Sequence, residues 1–563
     1  MGIVRVMQEA IKTAITEALQ TLNIEGVSFV VDHPTDTHTE ADYFSNVAMA
    51  AANIAGEAPR IIAEKIAVEL EGNIDQVASI EVAGPGFLNF NLNRDFFTEK
   101  ITTALKANEE WGRNDSWSGK KVIVEYTDPN PFKEFHIGHL FTNAVGESIA
   151  RLFMMNGADT KRVNYQGDVG LHVACAVWGM QQLDMESIDD FSAKDLGRAY
   201  AQGAKDYKES EVMAGKIREI NKKIYSREDK EINDLYDAGR GVSLSYFESI
   251  YKIVGTEFDE YFFESEAGPK GKELVLENPS VFPESEGAHI FDGESHGLHT
   301  RVFLNKEGLP TYEAKELALA KIKEERLGEY DLSIISTAHE INEYFKVLLK
   351  AMSFVYPELS KKTEHIGHGL VRLTTGKMSS RTGHVISAKE FIDDVALHVE
   401  SKMDKDDLSL GRDVAVAAIK YATLKGSILQ DSVFDKEAAL SFEGDSGPYL
   451  QYTHARICSV LRKASEAGIT ASFDTLPPEP YKIEKMVYQF EEVVAEALGD
   501  RAPHKVTHYL TELAGEFNSF YAQEKIADAT DEYAPYKAAI SDAVRLTLKN
   551  GLWALGIKAP EKM

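Results

Sequence analysis

Lys121-Val-Ile-Val-Glu-Tyr-Thr-Asp-Pro-Asn-Pro-Phe-Lys-Glu-Phe-His136-Ile-Gly-His139 decides the fold of this chain. Its first six residues are rich in β-branched and aromatic types and predict a buried strand. Pro129 and Pro131 forbid both helix and central strand, so Asp128 to Pro131 is read as a turn. Beyond it, Ile137, Leu140, Phe141, Ala144, Ile149, Leu152 and Phe153 recur at helical spacing, and Asn156-Gly157 supplies the stop. Lys161 to Tyr165 reads as the next strand. The stretch therefore predicts a β-α-β unit whose helix starts at the two histidines. There, free backbone amides meet phosphate and Gly138 leaves room for a flat base.

The same four letters recur at His365-Ile-Gly-His368, ahead of the strand-like Gly369 to Leu373. This copy has no helix to open and is expected to carry no chemistry. The loop that follows, Thr374 to Gly383, holds Lys377-Met-Ser-Ser-Arg381 between two glycines. Two cations and several hydroxyls on such a loop suit the charge that develops on a pyrophosphate leaving group. Either motif alone is compatible with a capping pair or an exposed basic turn. Both together, in this order, point to a nucleotide-activating site. A Walker A motif is absent from the sequence, which argues against a P-loop enzyme.

The two motifs resemble the signatures of class I aminoacyl-tRNA synthetases. Over nearly the whole chain the sequence resembles one family of that class, the arginyl-tRNA synthetases. The stretches that carry this likeness are Ala83 to Phe90, Asp128 to Leu140, Gly308 to Lys315, Gly444 to Arg456 and Asp542 to Leu548. The resemblance implies an α/β catalytic domain, Rossmann-like and nucleotide-binding, at residues 116–390, with a connective insertion at about 171–300. It further implies an α+β N-terminal tRNA-contacting domain over residues 1–110, a helical connecting region over 391–440 and an all-α anticodon-binding bundle over 441–563. Trp111 to Lys120 reads as a linker.

The reaction implied is that of an arginine–tRNA ligase. L-arginine and ATP give arginyl-adenylate and pyrophosphate, and the arginyl group then passes to the 3′ end of tRNA(Arg), releasing AMP. Such catalysis is positioning plus charge stabilisation and needs no protein nucleophile. His136, Gly138, His139, Lys377 and Ser379 are expected to bind ATP, with His136, His139, Lys377 and Arg381 acting on the reacting phosphates. The family signature has a second lysine where this chain has Ser380, and Lys133, just upstream of the histidines, is expected to replace that cation. Glu125, Asp128, Asn130, Tyr312 and Glu316 are expected to bind arginine, because carboxylates and an aromatic face match a planar guanidinium. Tyr312 and Glu316 lie four apart and so share one helix face. Phe87 and Asn89 are expected to touch tRNA, by stacking and by hydrogen bonding. The resemblance also implies that amino-acid activation requires bound tRNA.

Composition narrows the alternatives. With 563 residues, 44% hydrophobic and 27% charged, the chain predicts several soluble domains. No apolar run approaches the roughly 20 residues that cross a bilayer. Neither a signal peptide nor a myristoylation site is evident, so cytoplasmic residence and no membrane contact are expected; a monomer is the expected state. Two cysteines are too few for a disulfide framework or a Cys-rich zinc site. ATP is expected as its Mg²⁺ complex, with no zinc and no bound organic cofactor. A formal charge of −29 runs against RNA binding. The acidic segments Asp184–Asp195, Glu257–Glu266 and Glu400–Asp407 are expected to be solvent faces away from RNA. A small-molecule nucleotidylyltransferase would share the histidine motif but not the long helical C-terminus. A non-catalytic tRNA-binding relative would not need His136, His139 and Lys377.

Overall fold

The structure is a computed structural model and describes residues 6–34, 41–183, 191–374, 387–400 and 408–563. At its centre is a five-stranded parallel sheet. Across the sheet the strands run Thr363–His368, Leu332–Ala338, Lys121–Glu125, Asp159–Gln166 and Glu260–Phe263. The chain enters in the middle at Lys121–Glu125 and builds outward to one edge. It then returns to the other side of its starting strand. This reversal opens a crevice beyond the carboxyl end of Lys121–Glu125, the ligand position of doubly wound sheets. Val122, Ile123 and Val124 are all fully buried, because helices cover both faces of a parallel sheet.

The helix Ile137–Met155 follows, as the apolar spacing predicts. It lies so close to the end of the first strand that a Cβ on Gly146 would sit 2.2 Å from the Tyr126 side chain. The Tyr126 hydroxyl bonds buried Glu147 one residue along the helix. Only glycine allows that approach.

The insertion expected over about 171–300 is interrupted. Helices Leu171–Met180, Ala193–Glu209, Glu211–Ser226 and Lys230–Val254 form one excursion. Glu260–Phe263 then returns as an edge strand of the central sheet, paired with Val163–Gln166. A second excursion comprises the helix Glu264–Glu277 and a three-stranded sheet ending at Leu304. The expectation that Glu257–Glu266 is a solvent face holds for Glu257, Asp259 and Glu266 and is corrected at Glu264. Glu264 is buried on Lys315 at 2.6 Å, and Glu260 and Glu266 both pair with Arg326. Residues 184–190 and 401–407 of the other acidic segments lie outside the described residues.

The N-terminal domain holds a four-stranded antiparallel sheet. Its predicted hairpin, Val77–Ala83 with Phe87–Leu92, turns at Gly84 to Gly86. Leu88 and Phe90 point into the core, so strand alternation leaves Phe87 and Asn89 on the other, partly exposed face. The linker read from Trp111 onward is docked rather than free. Trp111 is buried and donates its indole N–H to Thr547 of the last helix at 2.9 Å.

From Gly447 onward the described chain is helical, ending in the deeply buried helix Ala534–Ala554. That helix packs against the back of Ile137–Met155. Ser148 donates to the carbonyl of Ala554, Arg151 to that of Trp553 and Lys420 to that of Gly556, at 2.7 to 3.0 Å. Among the described residues no helix is long and apolar enough to cross a membrane.

Candidate active site

The turn between the first strand and the histidine helix is strained. Thr127, Asp128 and Phe132 adopt φ of 80°, 43° and 68°, a left-handed backbone that costs non-glycine residues about 1–3 kcal/mol each. Its neighbours hold it in place. Asn143 donates to the Thr127 hydroxyl at 3.0 Å, the Tyr165 amide to the Asp128 carboxylate at 2.8 Å, and the Phe132 amide to Ser243 at 2.9 Å. The strain turns Asp128 and Asn130 toward the crevice.

His136 is the N-cap of the helix. Its Nδ1 accepts the His139 amide, and His139 Nδ1 accepts the His136 amide, both at 3.3 Å. The rings stack with centroids 3.6 Å apart. Burial depresses both pKa values, that of His136 to about 4, and the positive charge of Lys133 adds to the effect. Both rings are therefore neutral, and with Nδ1 accepting, each keeps its proton on Nε2 as a donor. Burial, and then the charge of Lys133, also depresses His172, and the Lys133 ammonium lies 4.7 Å from the centre of the Tyr200 ring.

Lys377, Ser379 and Arg381 lie outside the described residues. The chain on either side of their loop is placed. Val371–Leu373 pairs with Ser432–Phe434. Ser387 bridges to the backbone of His136, and the Ala388 amide donates to Phe135 at 2.7 Å. The segment that follows the loop thus returns directly against the histidine turn.

A cavity of about 240 Å³ opens beside this turn and collects Glu125, Asp128, Asn130, Tyr312 and Glu316, all five residues expected to bind the amino acid. Tyr165, Glu264, Tyr344 and Phe345 also line it. No sequence motif marks these four, although Tyr165 ends the strand read from Lys161. The Tyr165 hydroxyl is buried with no hydrogen-bond partner in the structure.

Charge in the cavity is unbalanced. Glu125 lies 2.6 Å from Lys323, each side chain 2% exposed, and Glu264 is matched by Lys315. Asp128 and Glu316 have no cation within ion-pair distance among the described residues. Burial, and then the charge of Glu125, raises both carboxyl pKa values, that of Glu316 to about 8. A cavity with two unpaired acids and an aromatic rim suits a cation, and a planar guanidinium in particular.

The strand order, the histidine pair capping the first helix and the returning loop segment together define a class I aminoacyl-tRNA synthetase. Three family models match the chain. The class I tRNA synthetase (R) catalytic domain spans residues 100–436, the DALR anticodon-binding domain 450–563 and the arginyl-tRNA synthetase N-terminal domain 6–92. The arginine–tRNA ligase of Clostridium acetobutylicum is 31% identical over 526 residues, covering 91% of this chain and 92% of that one. That of Clostridioides difficile is 29% identical over 571 residues, covering 98% and 99%. The arginyl-tRNA synthetase structure from Thermus thermophilus superimposes with a TM-score of 0.76 at 25% identity, covering 99% of this chain and 100% of that one. The chain belongs to the arginyl-tRNA synthetase family, and its reaction is the two-step aminoacylation of that family.

Proposed function

We propose that the 240 Å³ cavity is the arginine site and that the histidine turn holds the phosphates of ATP. The observation that carries this reading is the pair of carboxylates, Asp128 and Glu316, left without a cation around a cavity that Tyr312 and Asn130 also line. Glu316 and Glu125 take the guanidinium, Tyr312 covers it, and Asn130 with Asp128 takes the α-amino end. The Nε2–H groups of His136 and His139 bond the α-phosphate region as charge builds there, and Gly138 lies under the adenine. Lys377, Ser379 and Arg381 close from the loop over the leaving pyrophosphate. Mg²⁺ enters with ATP on phosphate and water oxygens.

Phe87 and Asn89, on the open face of their hairpin, meet the outer corner of tRNA(Arg), and the C-terminal bundle takes its anticodon. The protein works as a cytoplasmic monomer without zinc. The cysteine count and the buried setting of Cys175 support the last point. ATP–pyrophosphate exchange across the amino acids, with and without tRNA, tests the whole reading. Exchange is expected with arginine alone and only when tRNA is present. Robust exchange with another amino acid overturns the cavity assignment.

Proton linkage gives a second test. The arginine guanidinium needs Glu316 ionised, and the empty site holds that carboxyl protonated up to about pH 8. The arginine Michaelis constant is therefore expected to fall from pH 6 to pH 8, by as much as about tenfold per unit at the steepest, and then to level off. In Glu316→Gln the slope is shallower, with only Asp128 left to titrate in the cavity.

Lys133 tests the missing lysine of the loop. Its charge reaches both signature histidines, so Lys133→Ala is expected to slow arginine activation roughly tenfold, about 1.4 kcal/mol of barrier. Ser380→Lys in that background should restore part of the rate. Wild-type exchange by Lys133→Ala would leave the charge to Arg381.

A further inference from the structure

The same four residues take two geometries in this protein. In the helix, His136 and His139 lie one turn apart and stack on one face. His365 to His368 instead form the edge strand Thr363–His368, where a separation of three sends the two side chains to opposite faces of the sheet.

Each of the two lands on a different part of the substrate machinery. His365 lies flat on Phe345, with ring centroids 3.8 Å apart and planes at 11°. Its Nε2 is 2.8 Å from the Thr337 hydroxyl. Phe345 and Thr337 both line the arginine cavity. His365 itself lines a separate cleft of about 490 Å³, bounded also by Glu364 and Arg501. It therefore stands behind the cavity wall without entering the cavity.

On the other face, buried His368 has Nδ1 2.8 Å from the Gly369 carbonyl and Nε2 3.0 Å from the Thr142 hydroxyl. Burial keeps this ring neutral. Nδ1–H therefore donates to the carbonyl, and Nε2 accepts the Thr142 proton. Thr142 lies three residues after His139, and its one hydroxyl proton is shared between His368 Nε2 and the Gly138 carbonyl, which lies 3.1 Å away.

We infer that the second His-Ile-Gly-His is a brace, in which His365 positions the wall of the arginine cavity and His368 positions the first turns of the signature helix. The inference rests on the arginine assignment of the cavity. It revises the expectation that this copy is idle: the copy touches no reacting atom, yet it fixes groups that line both subsites. Because the two rings face opposite ways, their loss should separate kinetically.

The test is steady-state exchange kinetics on the tRNA-bound full chain, with thermal unfolding as a fold check. His365→Ala, which loses both the stack on Phe345 and the bond to Thr337, is expected to raise the arginine Michaelis constant more than the roughly fivefold that one lost hydrogen bond gives, with that of ATP unchanged. His365→Phe keeps the stack and loses only the bond, and should give a smaller rise. Combined with Thr337→Val it should cost no more than either change alone. His368→Ala should instead lower kcat or raise the ATP constant about fivefold with arginine unaffected, and His368→Gln, which restores an acceptor for Thr142, should recover part of it. Glu316→Gln serves as the control. If it leaves arginine binding intact, the cavity reading fails. If it abolishes binding while His365 and His368 variants lack the split, the brace fails.

Discussion

Glu316→Gln produces a protein that melts at a higher temperature when empty and binds arginine at least about a hundredfold more weakly. The two effects share one cause. Glu316 is a buried acid beside Glu125, and its pKa is raised from the ordinary carboxylate range to about 8. The unfolded chain releases this proton near pH 4.5 while the folded chain keeps it. Wild-type stability therefore falls as pH rises between those values and is lowest, for this group, above about pH 8. Glutamine has no such proton, so the gain in Tm over wild type should be near zero at pH 4.5, grow through neutrality and level off above pH 8. Arginine binding moves the other way, because removing the carboxylate opposite a buried guanidinium costs about 3 kcal/mol or more.

Glu125→Gln should behave differently. It too raises the arginine Michaelis constant with ATP affinity nearly unchanged, but it leaves the Lys323 ammonium buried without its partner and lowers Tm. Calorimetry of the two ligand-free variants at pH 5 and pH 8.5 distinguishes them. Equal melting shifts would mean that the charge balance of the cavity is misread, and unchanged arginine affinity in a folded Glu316→Gln would remove the pocket from the reaction.

His139→Ala should slow adenylate formation by at least about tenfold, or 1.4 kcal/mol of barrier, in single-turnover measurements. The structure separates two contributions within that loss. Nδ1 of His139 caps the His136 amide, and Nε2 is the donor left for substrate. His139→Asn can supply the acceptor but not the distal donor. It should regain the melting temperature of the parent while remaining slow. A fast Asn variant would reduce His139 to a helix cap. His368→Ala should slow the same step by no more than about fivefold, less than His139→Ala, since its ring is spent on Gly369 and Thr142.

The strand, turn and helix around His136 were legible in the chain because local rules govern them: β-branched residues, two prolines and a clear helical period. Glu125 was legible for the same reason, standing at the last position of that strand. What local rules could not reveal is partnership. Nothing in the sequence near Glu125 names Lys323, and nothing in the acidic run around Glu264 distinguishes its one buried acid, matched by Lys315, from neighbours matched by Arg326. The short edge strand Glu260–Phe263 was hidden by the same acidic run, because four residues are too few to show a period. Tyr165, Tyr344 and Phe345 reach the cavity through the folding of distant strands and helices, so only tertiary structure assigns them. The second histidine motif was correctly denied a helix. Its strand geometry, which sets one ring against Phe345 and the other against Thr142, required the sheet to be seen.

The junction between the last helix and the signature helix has a consequence for the protein's own synthesis. Ser148 on the signature helix finds its acceptor at Ala554, and Arg151 and Lys420, which also bond Gly255 and Val254, complete their bonds at Trp553 and Gly556. A nascent chain that has emerged as far as residue 540 contains every residue of the amino-acid cavity and both histidines. It still carries a buried lysine and a serine with those bonds unmade, and it cannot close the core around Trp111 until Thr547 arrives. Folding of the catalytic centre during translation is thus held open until the final helix is delivered. Fragments released early from the ribosome would present the N-terminal domain without a finished catalyst behind it.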